Sequence, residues 1–232
     1  MSGAVIILQA RMGSARLPGK SLAQIGARRL VSHCIARLLV GSAAPVMLAT
    51  TIDPDDDVLV EAARPYCIPV FRGAVDDVLL RYVQAARSVN ARYVVRATAD
   101  NPLTDIDAPE RMLRALRETG ADHVVEDGLP YGAAVEAVTV DALRRAAIQA
   151  TEADDREHVT PLIRRDRSRY TALTLPAPRG LQRPDLRVTI DTADDLDAMR
   201  AVAFRMHNWV TVPELSQAIR VMDACAAESR VA

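Results

Sequence analysis

Residues 9–21 read QARMGSARLPGKS and follow the apolar run AVIILQA; they hold Gly13, Gly19 and three cations, Arg11, Arg16 and Lys20, with no acid. Lys20 is the only lysine among 29 lysine and arginine residues. In a chain that writes arginine everywhere else, one retained lysine points to a site needing a compact point charge rather than a planar fork. Glycines in such a turn let the backbone approach an anion, so that free amides donate to phosphate oxygens while the cations neutralise a polyphosphate. The competing reading is a solvated turn carrying ordinary surface charges.

Asp100 and Asp191 each close an apolar run, YVVRATA and LRVTI. If both runs are strands of one sheet, the two carboxylates meet at its rim opposite the cationic turn, a donor set that suits Mg²⁺ carrying a triphosphate. The alternative makes each aspartate a helix cap, because DTADDL and DNPL both resemble capping sequences. A further group, Asp155, Arg156, Glu157 and His158 in DREHVTP, is expected at the start of a helix. There Arg156 and His158 either bind an anionic group or belong to a helix N-terminus packed on its neighbour.

The turn differs from the Walker phosphate loop GxxxxGK[ST] by one extra residue between its glycines, and Pro18 stiffens it; no GxGxxG is present. A net charge of -1 gives no global attraction to nucleic acid or anionic membrane, so an anion site must be local. Residues 1–52 contain no Asp or Glu, which concentrates positive charge at that end. Cys34, Cys67 and Cys225 lack metal-site or CxxC spacing and read as reduced core thiols. No run approaches the ~20 apolar residues of a membrane span, and no signal peptide is visible, so a cytoplasmic protein is expected.

Short apolar runs alternating with amphipathic stretches call for an α/β fold: a mostly parallel mixed sheet with helices on both faces. Strands are expected at 4–10, 46–51, 68–73, 92–100, 122–127, 134–140, 170–175 and 186–191. The intervening helices include 28–39, 56–66, 76–89, 109–120, 141–150 and 155–165, and two more, about 193–206 and 213–226, close the chain. Residues 1–232 are expected as one domain, with 129–175 a cap or dimerisation insertion because the alternation breaks there.

Five blocks in order, IILQARMGSARLPGKSL, FRGAVDDVLLRY, VRATADNPLTD, DREHVTP and RVTIDTADDL, resemble the cytidylyltransferase family that includes SpsF-type spore coat polysaccharide proteins, CMP-Kdo synthetases and acylneuraminate cytidylyltransferases. They span about residues 4–200. The resemblance implies a Rossmann-like nucleotide-diphospho-sugar-transferase fold, CTP and Mg²⁺, a small anionic acceptor, and a homodimer. It places Gln9, Ala10, Arg11, Met12, Gly13, Ser14, Arg16 and Lys20 at the nucleotide, with Arg72, Asp77 and Arg96 nearby. Lys20, Arg16 and Asp100 become the catalytic candidates, and Asp100 and Asp191 the metal ligands. Tyr131, Glu136, Arg156 and His158 are the acceptor candidates.

The pattern breaks at YGAAVEA, residues 131–137, where Ala134 stands at a position often held by aspartate in sugar-acid members of the family. Losing that carboxylate removes a partner for sugar hydroxyls and points to a smaller or more anionic acceptor, a sugar acid or a phosphonate. Transfer from UTP or GTP, and a nucleotide-binding scaffold without turnover, are the alternatives.

Overall fold

The computed structural model describes residues 3–41 and 44–229; residues 1–2 and 230–232, the ends of the expected 1–232 domain, lie outside that range. Its centre is strand β1 (Ala4–Gln9), whose apolar run is covered on both faces. β1 pairs in parallel with β4 (Val46–Thr51) on one side and β6 (Tyr93–Thr98) on the other. β5 (Val70–Gly73) extends one edge; β8 (Glu136–Thr139), β7 (His123–Asp127) and β9 (Ala172–Pro176) extend the other. The seven-stranded order is β5-β4-β1-β6-β8-β7-β9, and β8 runs antiparallel to both its neighbours. A short hairpin of β2 (Gln24–Ile25) and β3 (Arg28–Arg29) follows the opening turn.

Strand alternation splits the core in two. Ile6 and Leu8 face one layer, built with α1 (Leu30–Val40), α2 (Asp57–Ala63), α4 (Ala108–Thr119), α8 (Ala193–Arg205) and α9 (Leu215–Ser229). Val5 and Ile7 face the other, built with α3 (Val78–Ser88), α5 (Val140–Gln149) and α7 (Pro161–Arg165). α6 (Ala153–His158) precedes α7. The segment 129–175 therefore supplies two strands of the main sheet and helices on one face. Among the described residues no helix is long and apolar enough to cross a membrane.

Three expectations are corrected; of the cysteines read as core thiols only Cys34 is buried, while Cys67 is exposed. Residues 186–191 are not a strand: they run beside the sheet's rim, tied to it by one bridge, Tyr131 to Arg187, and by hydrogen bonds such as Ile190 N to Asp100 O (2.9 Å). Residues 155–165 are not one helix. Pro161 cannot continue a helix interior and opens α7 instead, and Val159 between the two pieces takes φ 74°. Asp155, Arg156, Glu157 and His158 consequently end a helix instead of starting one.

Candidate active site

The turn after β1, the end of β6, the start of the antiparallel β8 and residues 186–191 converge at one rim, where ligand crevices lie in open α/β sheets. Gly19 takes φ 73°, a left-handed value open to glycine, and so turns Lys20 inward. Lys20 Nζ then lies 3.0 Å from Asp100 Oδ2, 3.0 Å from Asp191 Oδ1 and 2.8 Å from the Ile190 carbonyl. Arg16 reaches Asp191 Oδ1 at 2.9 Å and Arg187 reaches Oδ2 at 2.9 Å. Burial alone would raise the Asp191 pKa, but Lys20, Arg16 and Arg187 outweigh it and hold the carboxyl below its ordinary range.

Neither aspartate caps a helix. Thr192 caps α8 by accepting from Asp195 N, and Asp195 returns the bond to Thr192 N, a reciprocal capping box that leaves the Asp191 carboxylate facing the cleft. Two carboxylates are few for a caged ion, and among the described residues no three His, Cys, Asp or Glu side chains gather at one point. They fit Mg²⁺, which keeps waters and substrate phosphates and takes only one or two protein carboxylates. The Lys20 ammonium resting on both shows that the pair already holds a cation.

The turn itself is pinned by Asp56, which accepts from Met12 N at 2.7 Å and from the Thr50 and Thr51 hydroxyls at 2.8 and 2.5 Å. Among the described residues the amides of Gly13, Ala15 and Arg16 donate to nothing, which leaves them available to an anion. They border a cavity of about 320 Å³ lined by Gln9, Ala10, Arg11, Gly13, Ser14, Arg16, Lys20, Arg96, Asp100, His158 and Asp191. Arg11 crosses it to Glu157 at 2.9 Å.

A second cavity of about 590 Å³ shares Arg16, Arg96, Asp100, His158 and Asp191 with the first and continues past Tyr131, Ala134 and Glu136. Gly132, at φ 99°, brings this wall against residues 187–191: a Cβ there would lie 2.7 Å from Thr189 N. Tyr131 stacks under Arg187, whose Cζ lies 5.0 Å from the ring centroid. Arg96 Nη1 lies 3.0 Å from Glu136 Oε1, and His123 Nε2 lies 2.7 Å from Oε2. Burial works against the Glu136 charge, but Arg96 and the hydrogen bond from His123 prevail and pull its pKa down to about 2.

Four candidates stand elsewhere. Arg72 donates to the Thr51 and Asp53 carbonyls and to Asp57, away from either cavity. Asp77 caps α3 through Leu80 N and holds Arg156 at 2.5 Å, so these two join α3 to α6 behind the cleft. Met12 packs on the core with its amide on Asp56. Sequence reasoning missed Asp56, His123 and Arg187. The acids of DPDDD are alike in sequence, and nothing local marks which one meets the turn.

This mostly parallel sheet, with a cationic turn after its first strand and two carboxylates facing it, is the architecture of nucleotidyltransferases. The chain belongs to the cytidylyltransferase family, whose model matches residues 5–218. It is 33% identical over 208 residues to the spore coat polysaccharide biosynthesis protein SpsF of Bacillus subtilis, covering 87% of each chain. An uncharacterized protein of Methanocaldococcus jannaschii is 36% identical over 190 residues, 82% of this chain and 78% of that one. In three dimensions it is similar to a cytidylyltransferase from Leptospira borgpetersenii, with TM-score 0.89 and 26% identity over 97% of this chain and 95% of the other.

Proposed function

We propose that this chain transfers CMP from CTP to a small acceptor bearing an anionic group, releasing pyrophosphate with the help of Mg²⁺. The observation that carries the reading is Lys20 Nζ, shared between Asp100 and Asp191 at 3.0 Å each, beneath the free amides of the turn. An ionised acceptor oxygen, with no proton to lose, forms a bond to the α-phosphorus while the bond from that phosphorus to the oxygen bridging to the β-phosphate breaks. Arg16, Lys20 and the amides of Gly13, Ala15 and Arg16 hold the leaving diphosphate as its charge grows. Asp100 and Asp191 would hold the metal, which supplies charge neutralisation at the phosphates.

The larger cavity is the acceptor's place in this reading, with Tyr131, Glu136 and His158 in its wall. Glu136 is committed to Arg96 and His123, so it shapes the wall more than it takes a proton. Ala134 leaves the wall without a carboxylate there, which favours an acceptor already ionised, a sugar acid or a phosphonate. Kinship with a polysaccharide biosynthesis protein supports the sugar acid. The family resemblance also supports a homodimer, which sedimentation equilibrium checks.

Incubation with each NTP, Mg²⁺ and a panel of sugar acids and phosphonates, followed by a pyrophosphate assay, tests the proposal. Release with CTP and an acceptor is expected. Equal thermal stabilisation by all four NTPs, without release, would overturn it.

A further inference from the structure

A third cavity, of about 360 Å³, opens beside β9 and α7 and shares Val125, Pro161 and Arg164 with the acceptor cleft. Its chemistry differs from that of the cleft. Asp100, Glu126, Asp127, Glu136 and Asp191 border the cleft, whereas among the described residues no carboxylate borders this cavity; Arg164, Arg165 and Arg167 do, with His123 and Thr174. Arg165 is neutralised by two bonds to Asp155, at 2.5 and 2.6 Å, and Arg167 donates to the Ala172 carbonyl. The Arg164 guanidinium has no ion-pair or hydrogen-bond partner among the described residues.

The second observation is His123, 1% exposed. Its Nε2 lies 2.7 Å from Glu136 Oε2, which fixes the ring and leaves Nδ1 on the side away from that carboxylate. That atom is buried without a partner. A buried polar atom left unmatched is costly, and its residue lines the same cavity as the unpaired Arg164. One kind of group answers both: an oxyanion for Arg164 that also carries an O–H, since such a group can donate to a bare Nδ1 or accept from an Nδ1–H.

We propose that this cavity is an oxyanion site, distinct from the triphosphate turn, for a hydrogen phosphate, phosphonate or hydroxy-acid group, with Arg164 and His123 as its reading contacts. The open side toward the cleft lets the group be the far end of an acceptor or a free anion. The site does not depend on the transfer reaction, since none of its contacts is Lys20, Asp100 or Asp191.

The test titrates inorganic phosphate into the protein and follows the ¹⁵N signals of the His123 ring, assigned with His123→Gln. Three proteins are compared: wild type, Arg164→Gln and Lys20→Gln. Because Arg164 is exposed and its guanidinium is unpaired among the described residues, its replacement removes no ion pair or side-chain hydrogen bond, and an unchanged melting temperature verifies this. The His123 response is expected in wild type and in Lys20→Gln, and about 10-fold or more weaker in Arg164→Gln. A response that ignores Arg164, or its absence in wild type, overturns the site. Loss of CTP binding in Lys20→Gln with the His123 response intact separates this inference from the proposed function. Repeating the titration with CTP and an acceptor assigns the source: competition gives the site to the acceptor's far end, independence to a free anion.

Discussion

Lys20 Nζ and Asp191 Oδ1 lie 3.0 Å apart across 171 residues of sequence, and Asp100 completes the contact from a third place in the chain. The acidless turn is thus neutral only through tertiary partners. Its ammonium occupies the point where a divalent ion and phosphates would meet, so ligand entry exchanges one set of ion pairs for another.

That exchange makes Lys20 sensitive to shape as well as charge. Lys20→Ala is expected to lower kcat/KM by about 10²-fold or more, because a preorganised charge on the leaving group is lost. Lys20→Arg should not restore it, since a planar fork cannot hold three contacts converging on one nitrogen. Steady-state pyrophosphate release checks both; near-normal turnover in Lys20→Ala would remove the residue from the mechanism.

Asp191→Asn should separate the two ligands. Three cations, Lys20, Arg16 and Arg187, lose the carboxylate that occupies them. CTP measured calorimetrically in EDTA is expected to bind about 10-fold tighter than to wild type, the ~1.4 kcal/mol of one competing charge contact. Any gain from added Mg²⁺ should shrink at the same time. Weaker binding in EDTA would show that Asp191 supports the cations instead of competing for them.

Glu136 is expected to matter more to the fold than to chemistry. It is the counterion of Arg96, whose side chain is half-buried, 17% exposed, with a buried and unpartnered Nε. Glu136→Gln removes the ion pair of a guanidinium that still feels Asp100 and borders both cavities, so a loss of about 1–3 kcal/mol is expected, below the cost of breaking a dry buried pair. Urea denaturation reads it as a lower midpoint with unchanged slope. A shift under 1 kcal/mol would mean that water already solvates Arg96.

What the sequence carried was local. A central parallel strand covered on both faces is a continuous apolar run, and AVIILQ is that; a glycine-held turn after it follows from the same line of residues. Long-range partners have no such signal. Asp56 looks like its neighbours in DPDDD, and His123 begins an ordinary apolar strand, so only the fold shows that one pins the turn and the other sits on Glu136. LRVTI misleads for a related reason: Val188, Thr189 and Ile190 are buried against the rim, which makes the run apolar, yet it finds one bridge, from its own Arg187 to Tyr131, and no full strand partner. In DREHVTPLIRR the proline was visible, but the left-handed Val159 that accompanies the break is a tertiary constraint, since a β-branched residue does not choose φ 74° alone.

Acid lability supplies the last prediction. His33 is buried, donates to the Ile25 carbonyl at 2.7 Å and meets Trp209 edge to face at 5.2 Å. Burial, aided by Arg28 and Arg37, lowers its pKa from 6.5 to about 4. Above pH 6.5 the ring is neutral in both folded and unfolded chains and contributes no pH dependence. As pH falls from 6.5 toward 4 the unfolded chain takes up a proton that the folded chain refuses, so stability declines, by about 3 kcal/mol in total. Glu136 adds a second decline lower down, from about pH 4.5 toward 2, as its depressed pKa is crossed. His33→Gln, which keeps a donor for Ile25, should flatten the upper limb and leave the lower one. Trp209, the only tryptophan, reports unfolding by fluorescence at each pH. An identical slope between pH 6.5 and 4 in His33→Gln would place the acid sensitivity elsewhere.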